Sequence, residues 1–459
     1  MEYISTRNTK KIFSFKDVFL KGLAPDGGLF IPKKIPIFSY KEINELRNLS
    51  YNDLATKIIL KFCQDEFNEE EIKNLVKKSY KDFRVENVVK IKKLKNIVFL
   101  ELFHGPTLAF KDIAMQVIGN MYEEILKKNG SRVSIVVATS GDTGAAAISA
   151  IKNRKNMKIF VLHPNNKISD VQRRFMTTID SKNVFNIALE GNFDDCQKFV
   201  KDMFSDKDFS TSINMSAVNS INWSRIVIQI VYYFFSYFRI AQKGEKINFS
   251  VPTGNFGDVY AGYVAKKMGL PINKLIIATN KNDILKRVVE TGVYKPMKVF
   301  HTVSPSMDIQ VASNFERLIF DICSCNSNET LKYMNELKEK GEFKLDEKKL
   351  KEIKKNFFSE SLDENETKSV INEMYKNEKV LIDPHTAVAI GALKKLTLEG
   401  KTLILATAHP SKFSDVVMKE TGVIPELPGN LKNILEKKEK YEKLSKDLKK
   451  VKEYILKRI

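Results

Sequence analysis

A lysine that follows an apolar stretch and opens an amphipathic helix is the first residue of this chain with a chemistry of its own. Lys111 lies in His104 to Asp112, HGPTLAFKD, after a Gly-Pro turn and between Phe110 and Asp112. An ordinary member of the 76 Lys and Arg is a solvated surface charge, but this setting draws the amine inward. Burial and the positive end of a helix both favour the neutral amine, and only the neutral amine attacks an aldehyde to form a Schiff base. The competing reading is a lysine that begins a helix for no chemical reason. Ile113, Val117, Ile118, Met121 and Ile125 recur at helical spacing behind it, and Asn129-Gly130 supplies the stop.

Other segments of chemical interest sit where a strand gives way to a helix. In PTGNFGD (Pro252 to Asp258), Gly254 and Gly257 let the backbone turn so that its N–H groups and the next helix's N-terminus face one point, which suits a cofactor phosphate. A plain tight turn with nothing bound fits the same spacing. TSGDTG (Thr139 to Gly144) makes a second nest of donors with the hydroxyls of Thr139, Ser140 and Thr143, apt for a carboxylate. Asp142 would repel that anion unless protonated or turned toward a donor, and taken alone it reads as a helix N-cap. TAHPSKF (Thr407 to Phe413) follows the strand TLILA; Thr407 can hydrogen-bond a heteroaromatic nitrogen or cap a turn, and Lys412 can meet an anion. NSINWSR (Asn219 to Arg225) is either an anion clamp of Asn219, Ser220 and Arg225 at a helix opening, or an arginine marking the end of a buried helix. PTGNFGD itself contains neither a GxGxxG nor the GK[ST] of a Walker loop, and the five histidines of the chain show no metal spacing, so no metal site is expected.

The elements that must position these loops read as repeated strand, loop and helix. Strands are predicted at Val133 to Ala138, Lys158 to Leu162, Val184 to Leu189, Phe249 to Val251, Leu275 to Thr279 and Thr402 to Ala406. That alternation argues an α/β fold with parallel sheets covered by helices. Residues 1–90, with the turn-rich GLAPDGGLFIP and helical stretches around Tyr51 to Phe83, form an expected N-terminal domain; 91–420 form the catalytic region, with a mainly helical insertion at about 309–375. Residues 421–459 are expected as a charged C-terminal helix with Leu431, Leu435, Leu444, Leu448 and Val451 along its apolar face.

Composition narrows the class. At 459 residues, 43% hydrophobic and 29% charged, the chain is long enough for a large core and globular in balance. The longest apolar run, Ile226 to Phe238, is broken by Gln229 and Ser236 and reads as a buried helix, so no membrane partner is expected. The N-terminus lacks a signal-peptide core, and Cys63, Cys196, Cys323 and Cys325 form neither a disulfide framework nor a CxxC pair, which fits the cytoplasm. The formal net charge of +20 is spread among acids without a zinc-finger or aromatic-basic motif. Nucleic acid is therefore not an expected partner, whereas a small anionic substrate is.

Taken in order, APDGGLF, HGPTLAFKD, SGDTGAAA, PTGNFGD, SPSMDIQVASNFER and ATAHPSKF resemble threonine synthases of the longer bacterial and fungal type, from about Tyr3 to Gly422. The resemblance implies a fold-type-II pyridoxal 5'-phosphate enzyme, similar to the tryptophan synthase β subunit with an added N-terminal domain. It further implies conversion of O-phospho-L-homoserine and water to L-threonine and phosphate. By position, Lys111 resembles the Schiff-base lysine and proton shuttle, Gly254, Asn255, Phe256 and Gly257 the cofactor-phosphate cradle, and Thr407 the partner of the pyridine nitrogen. Asp142 stands where related lyases carry an asparagine that meets the cofactor's 3'-oxygen. Ser140 and Thr143 resemble the substrate-carboxylate loop, and Asn219, Ser220 and Arg225, with Lys412 in reserve, the substrate-phosphate site. A phospho-lyase releasing 2-oxobutyrate, ammonia and phosphate from O-phosphothreonine shares nearly every motif. The residues set no oligomeric state.

Overall fold

Strands that read as unbroken apolar runs become central strands of two parallel sheets, as burial on both faces requires. The computed structural model describes all of residues 1–459 except Asn96 and Lys167, together with the side chain of Asn430. One sheet has five strands in the order Glu442–Leu444, Val184–Leu189, Met157–Pro164, Val133–Ala138 and Met215–Ser216, every pair parallel. The other has six, Phe357–Ser361, Ile272–Thr279, Ile247–Pro252, Thr402–Ala406, Val98–Glu101 and Lys90–Lys93, parallel except for the last pair. The expected α/β architecture is therefore observed, and all six predicted strands are present.

The helices bring the chemical segments together through close approach. Lys111–Asn129 buries Ile113, Val117, Ile118, Met121 and Ile125 and ends on Gly130 in the left-handed conformation. It packs on Asp142–Ile151, whose Ala145, Ala146 and Ala147 are fully buried. At the crossing, a Cβ on Gly119 would stand 2.6 Å from the Ala150 carbonyl oxygen, so only glycine permits this spacing. The lysine helix and the SGDTG helix are thereby held as one unit.

The apolar run forms the helix Trp223–Ile240, buried continuously from Trp223 to Phe238. Tyr233 meets Phe249 of the six-stranded sheet at 4.9 Å, and Phe235 meets Tyr51 of the N-terminal region at 5.2 Å. Each such buried aromatic contributes about 1.5–3 kcal/mol, which explains a helix without a polar face. No helix among the described residues is long and apolar enough to cross a membrane.

Three features differ from the sequence reading. The N-terminal region adds a three-stranded antiparallel sheet, Asn8–Phe13, Tyr3–Ser5 and Phe30–Pro32, to the expected helices Tyr51–Cys63 and Glu69–Tyr80. The segment 309–375 is mainly helical, but Phe357–Ser361 within it is an edge strand of the six-stranded sheet; its mixed FFSES pattern lacks the apolar run of a central strand. The C-terminal segment is not one helix: Gly429–Leu435 is a short 3-10 helix, Glu442–Leu444 pairs with Val184–Leu189, and only Leu448–Leu456 is α-helical. Tertiary contacts override the helical spacing there: Arg173 of the helix Asp170–Thr177 donates to both Glu439 oxygens at 2.8 and 2.9 Å, and the Lys440 N–H donates to the Thr177 carbonyl at 2.6 Å.

Candidate active site

The loops that leave the carboxyl ends of Val133–Ala138, Ile247–Pro252 and Thr402–Ala406 converge on one cavity of about 2200 Å³. In open α/β sheets this is where ligands bind. Every residue expected in the site, Lys111, Ser140, Asp142, Thr143, Asn219, Ser220, Arg225, Gly254, Asn255, Phe256, Gly257, Thr407 and Lys412, lines it.

Lys111 is aimed by the loop before it. Asp112, fully buried, accepts from the Thr107 N–H and hydroxyl at 2.7 Å each, and so folds HGPTLAF back onto the start of the helix. Gly105 lies against that carboxylate's stem, where an added Cβ would be 2.4 Å from the Asp112 Cβ. Gly105→Ala is accordingly expected to lower stability by about 1–3 kcal/mol, as overpacking does, and a denaturation midpoint unchanged from the parent would refute this. Phe110 then donates its N–H to the Thr407 carbonyl at 2.8 Å, which ties the lysine turn to the TAHPSKF loop. Burial pushes the Lys111 amine down to about 8; Asp142 opposes that shift, while Arg225 and Lys412 reinforce it. A neutral fraction of the amine is therefore available near physiological pH, far larger than for an ordinary lysine, as a nucleophile or proton carrier needs.

Asp142 is not a helix cap. Gly141 occupies the cap position, and the Asp142 carboxylate is turned onto the Lys412 amine at 2.7 Å and Gln172 Nε2 at 3.1 Å, with Lys111 Nζ at 3.9 Å. Despite burial, these cations hold its carboxyl far below the usual carboxylate range. Lys412 is itself enclosed, donating also to the Thr107 carbonyl at 2.7 Å, so its charge is committed to Asp142 and the lysine loop. Thr139 is likewise committed: its hydroxyl accepts from Gly141 and Gly144 N–H. Ser140, Thr143 and Thr407 face the cavity with no side-chain hydrogen bond among the described residues.

PTGNFGD forms a cradle. Phe256 takes the left-handed conformation, φ 63°, and starts Gly257–Lys267 with no side chain capping its first N–H groups. A Cβ on Gly254 would meet the Ser306 carbonyl oxygen at 2.7 Å. A helix end without a side-chain cap thus lines the cavity beside glycine, the setting that phosphate uses.

Arg225 lies in the first turn of Trp223–Ile240, 4% exposed, and its Nε has no hydrogen-bond partner among the described residues. Burial pushes the guanidinium down to about 10, with Tyr232 and Asp258 opposing. A buried cation without a paired anion is costly, so an anionic ligand is the expected complement. The helix is opened by Asn222, whose side chain accepts from Ser224 N–H at 3.0 Å; Asn219 and Ser220 lie in the turn before it rather than at its cap.

Two supporting networks escaped the sequence reading. Asp383 accepts from His385 Nδ1 at 2.7 Å, His385 Nε2 accepts the Ser306 N–H at 3.3 Å, and the Ser306 hydroxyl reaches Asp142 at 3.4 Å. Because Nε2 accepts a backbone N–H, the Nδ1 proton faces Asp383, which fixes the tautomer. The second network centres on Arg317, fully buried, which donates to the Phe30 and Ile221 carbonyls and to Asn314, while Asn314 donates to the Asn255 carbonyl at 3.0 Å. One guanidinium thus links the N-terminal sheet, the Asn219 to Arg225 turn and the glycine cradle. Its only sequence signal was its place in SPSMDIQVASNFER; no local pattern distinguishes a buried arginine from a surface one.

A low-pKa lysine, a glycine cradle at an uncapped helix end, and an unpaired buried arginine around one cavity between parallel sheets fit pyridoxal phosphate and an anionic substrate. They define a fold-type-II pyridoxal-phosphate-dependent enzyme, and the family described as "Pyridoxal-phosphate dependent enzyme" matches residues 83–345. "Threonine synthase N terminus" matches 2–80 and "Threonine synthase, C-terminal" 386–455. Threonine synthase of Pseudomonas aeruginosa is 42% identical over 459 aligned residues, covering 99% of this chain and 98% of that one. Among solved structures, the PLP-bound threonine synthase of Brucella melitensis superimposes with a TM-score of 0.97 at 43% identity over 100% of this chain and 99% of that one. The yeast enzyme does so with 0.95 at 38%, over 100% and 98%. The chain belongs to the threonine synthase family.

Proposed function

We propose that the chain converts O-phospho-L-homoserine and water to L-threonine and phosphate. The observation that carries this reading is the placement of one buried, readily neutral lysine between two independent anion-binding features, the uncapped glycine cradle and Arg225. A substrate with a phosphate of its own needs two such features. Gly254, Asn255, Phe256 and Gly257 would hold the cofactor phosphate, Lys111 the cofactor's aldehyde carbon, Asp142 its 3'-oxygen and Thr407 its ring nitrogen. When bound, the cofactor supplies an electron sink for charge developing beside the amino-acid nitrogen.

The chain's own groups do the rest. Ser140 and Thr143 orient the substrate carboxylate, and Asn219, Ser220 and Arg225 hold its phosphate in line for departure from the γ carbon. Lys111 removes the α and then the β proton, returns one to the γ carbon once phosphate has left and one to the α carbon after water has added at the β carbon, while the second proton of that water goes to the released phosphate; one flexible amine at a turn can reach these carbons. Asp142 and Lys412, paired and buried, keep a fixed field around that amine. We assign 1–90 to an N-terminal domain, 91–420 to the catalytic region, and 421–459 to a C-terminal tail, and place the reaction in the cytoplasm, where the four free cysteines stay reduced.

Product analysis tests the reading. O-phosphohomoserine should yield threonine and phosphate in equal amounts, whereas release of 2-oxobutyrate and ammonia from O-phosphothreonine as the faster reaction would favour the phospho-lyase. Arg225→Ala should keep the bound cofactor's absorbance and weaken apparent substrate affinity by about 1.5–3 kcal/mol, the scale of a charge-assisted hydrogen bond. Loss of cofactor with unchanged substrate affinity would move Arg225 to the cofactor side.

A further inference from the structure

Arg225 and Asp258 carry complementary orphans. Both line the cavity, Arg225 at 4% and Asp258 at 8% exposure. The Arg225 Nε–H lacks an acceptor and Asp258 Oδ2 lacks a donor, and the two groups form no ion pair with each other or with any other described residue. Asp258 Oδ1, by contrast, is saturated: Tyr232 donates to it at 2.5 Å and Tyr233 at 2.9 Å. Those tyrosines stand about two turns beyond Arg225 on the same helix, and Asp258 sits in the first turn of the helix that begins at the glycine cradle. The carboxylate is therefore clamped on one oxygen while the other, buried like the Arg225 Nε, has no partner among the described residues, and the two charges are near enough to act on each other.

We propose that Asp258 is a positioning residue for Arg225: when an anion occupies the substrate-phosphate site, Arg225 turns its Nε–H onto Asp258 Oδ2 and presents its two Nη groups to the anion. This rests on the assignment of Arg225 to the substrate phosphate. It gives the two orphan atoms each other as partners and explains why two tyrosines converge on the remaining carboxylate oxygen. A guanidinium fixed through Nε has its fork aligned for a tetrahedral oxyanion, as bidentate recognition requires.

The charged and titratable groups that bear on Asp258 are Tyr232, Tyr233 and Arg225, all on the helix Trp223–Ile240. Burial raises the Asp258 carboxyl to about 6 against the opposing pull of those three groups. The acceptor is present above that value and is lost as pH falls through it. Anion affinity should follow.

The test uses the holoenzyme and sulfate, a competitive probe whose charge is constant over this range, unlike that of phosphate. The parent is expected to bind sulfate more weakly toward acid pH; Asp258→Asn is expected to raise the sulfate inhibition constant about tenfold at neutral pH, with cofactor absorbance intact, and to abolish that acid limb. Tyr232→Phe removes one donor to the carboxylate, so the acid limb should persist and move to higher pH; a merely structural role for Asp258 predicts no such movement. If Arg225→Ala weakens sulfate but Asp258→Asn binds it as the parent does at every pH, the positioning role is wrong and the Arg225 assignment survives. If Arg225→Ala leaves sulfate binding unchanged, the underlying assignment fails instead.

Discussion

Lys111→Ala is expected to leave a folded protein with threonine formation reduced by about 10⁴-fold or more, because nucleophile and proton carrier are lost together. Folding should survive, since the substitution removes a largely buried amine whose charge is disfavoured, and the Asp142 carboxylate keeps Lys412 at 2.7 Å. Borohydride reduction of the holoenzyme followed by peptide mapping should modify Lys111 and no other lysine. In protein stripped of cofactor, burial brings the Lys111 amine down to about 8, so the rate of cofactor rebinding is expected to rise with pH through that value and level off above it. A rate that is flat from pH 6 to 9, or an alanine variant with near-parent activity, would falsify the assignment of the base.

Sequence made the centre of this site legible because its chemistry is local. The neutral-lysine argument needed only the loop HGPTLAFKD and the helix behind it, and both stand as read, with Gly130 closing the helix. The glycine cradle was visible for the same reason, since a backbone nest is written in a few consecutive residues. What the sequence withheld were partners distant along the chain. Asp142 read as a cap until Lys412, 270 positions away, appeared against its carboxylate. Arg317 donates to Phe30, 287 residues earlier, and Asp258 meets tyrosines 25 and 26 positions before it. A charged residue's role is set by what the fold brings opposite it, and hydrophobic periodicity carries none of that information. The C-terminal segment failed for a related reason: leucines at helical spacing are outweighed once strand pairing and the Arg173–Glu439 pair offer the backbone another use.

Lys412→Met should have the largest effect on stability of any single change at the site. Lys412 is enclosed, and its ammonium satisfies the Asp142 carboxylate and the Thr107 carbonyl at 2.7 Å each. Truncating one partner of a buried pair leaves the other charge uncompensated, at a cost of about 3–5 kcal/mol. Gln172 and Lys111 remain near Asp142 and keep the expected loss toward the lower figure. The same change alters the base: a like charge that depressed the Lys111 amine is gone, and Asp142 then acts on Lys111 alone, so the amine moves up from about 8 and a smaller neutral fraction is present at pH 7. The pH midpoint of cofactor rebinding should shift upward with it. Adding Asp142→Asn separates the two effects. With both charges removed, stability should recover relative to Lys412→Met, and the midpoint should return downward because Asp142 was the one group raising the Lys111 amine. Denaturation midpoints and rebinding rates across pH, measured on both variants, decide the matter; a single variant as stable as the parent, with an unshifted midpoint, would mean that Lys412 sets neither the stability of Asp142 nor the ionisation of the catalytic amine.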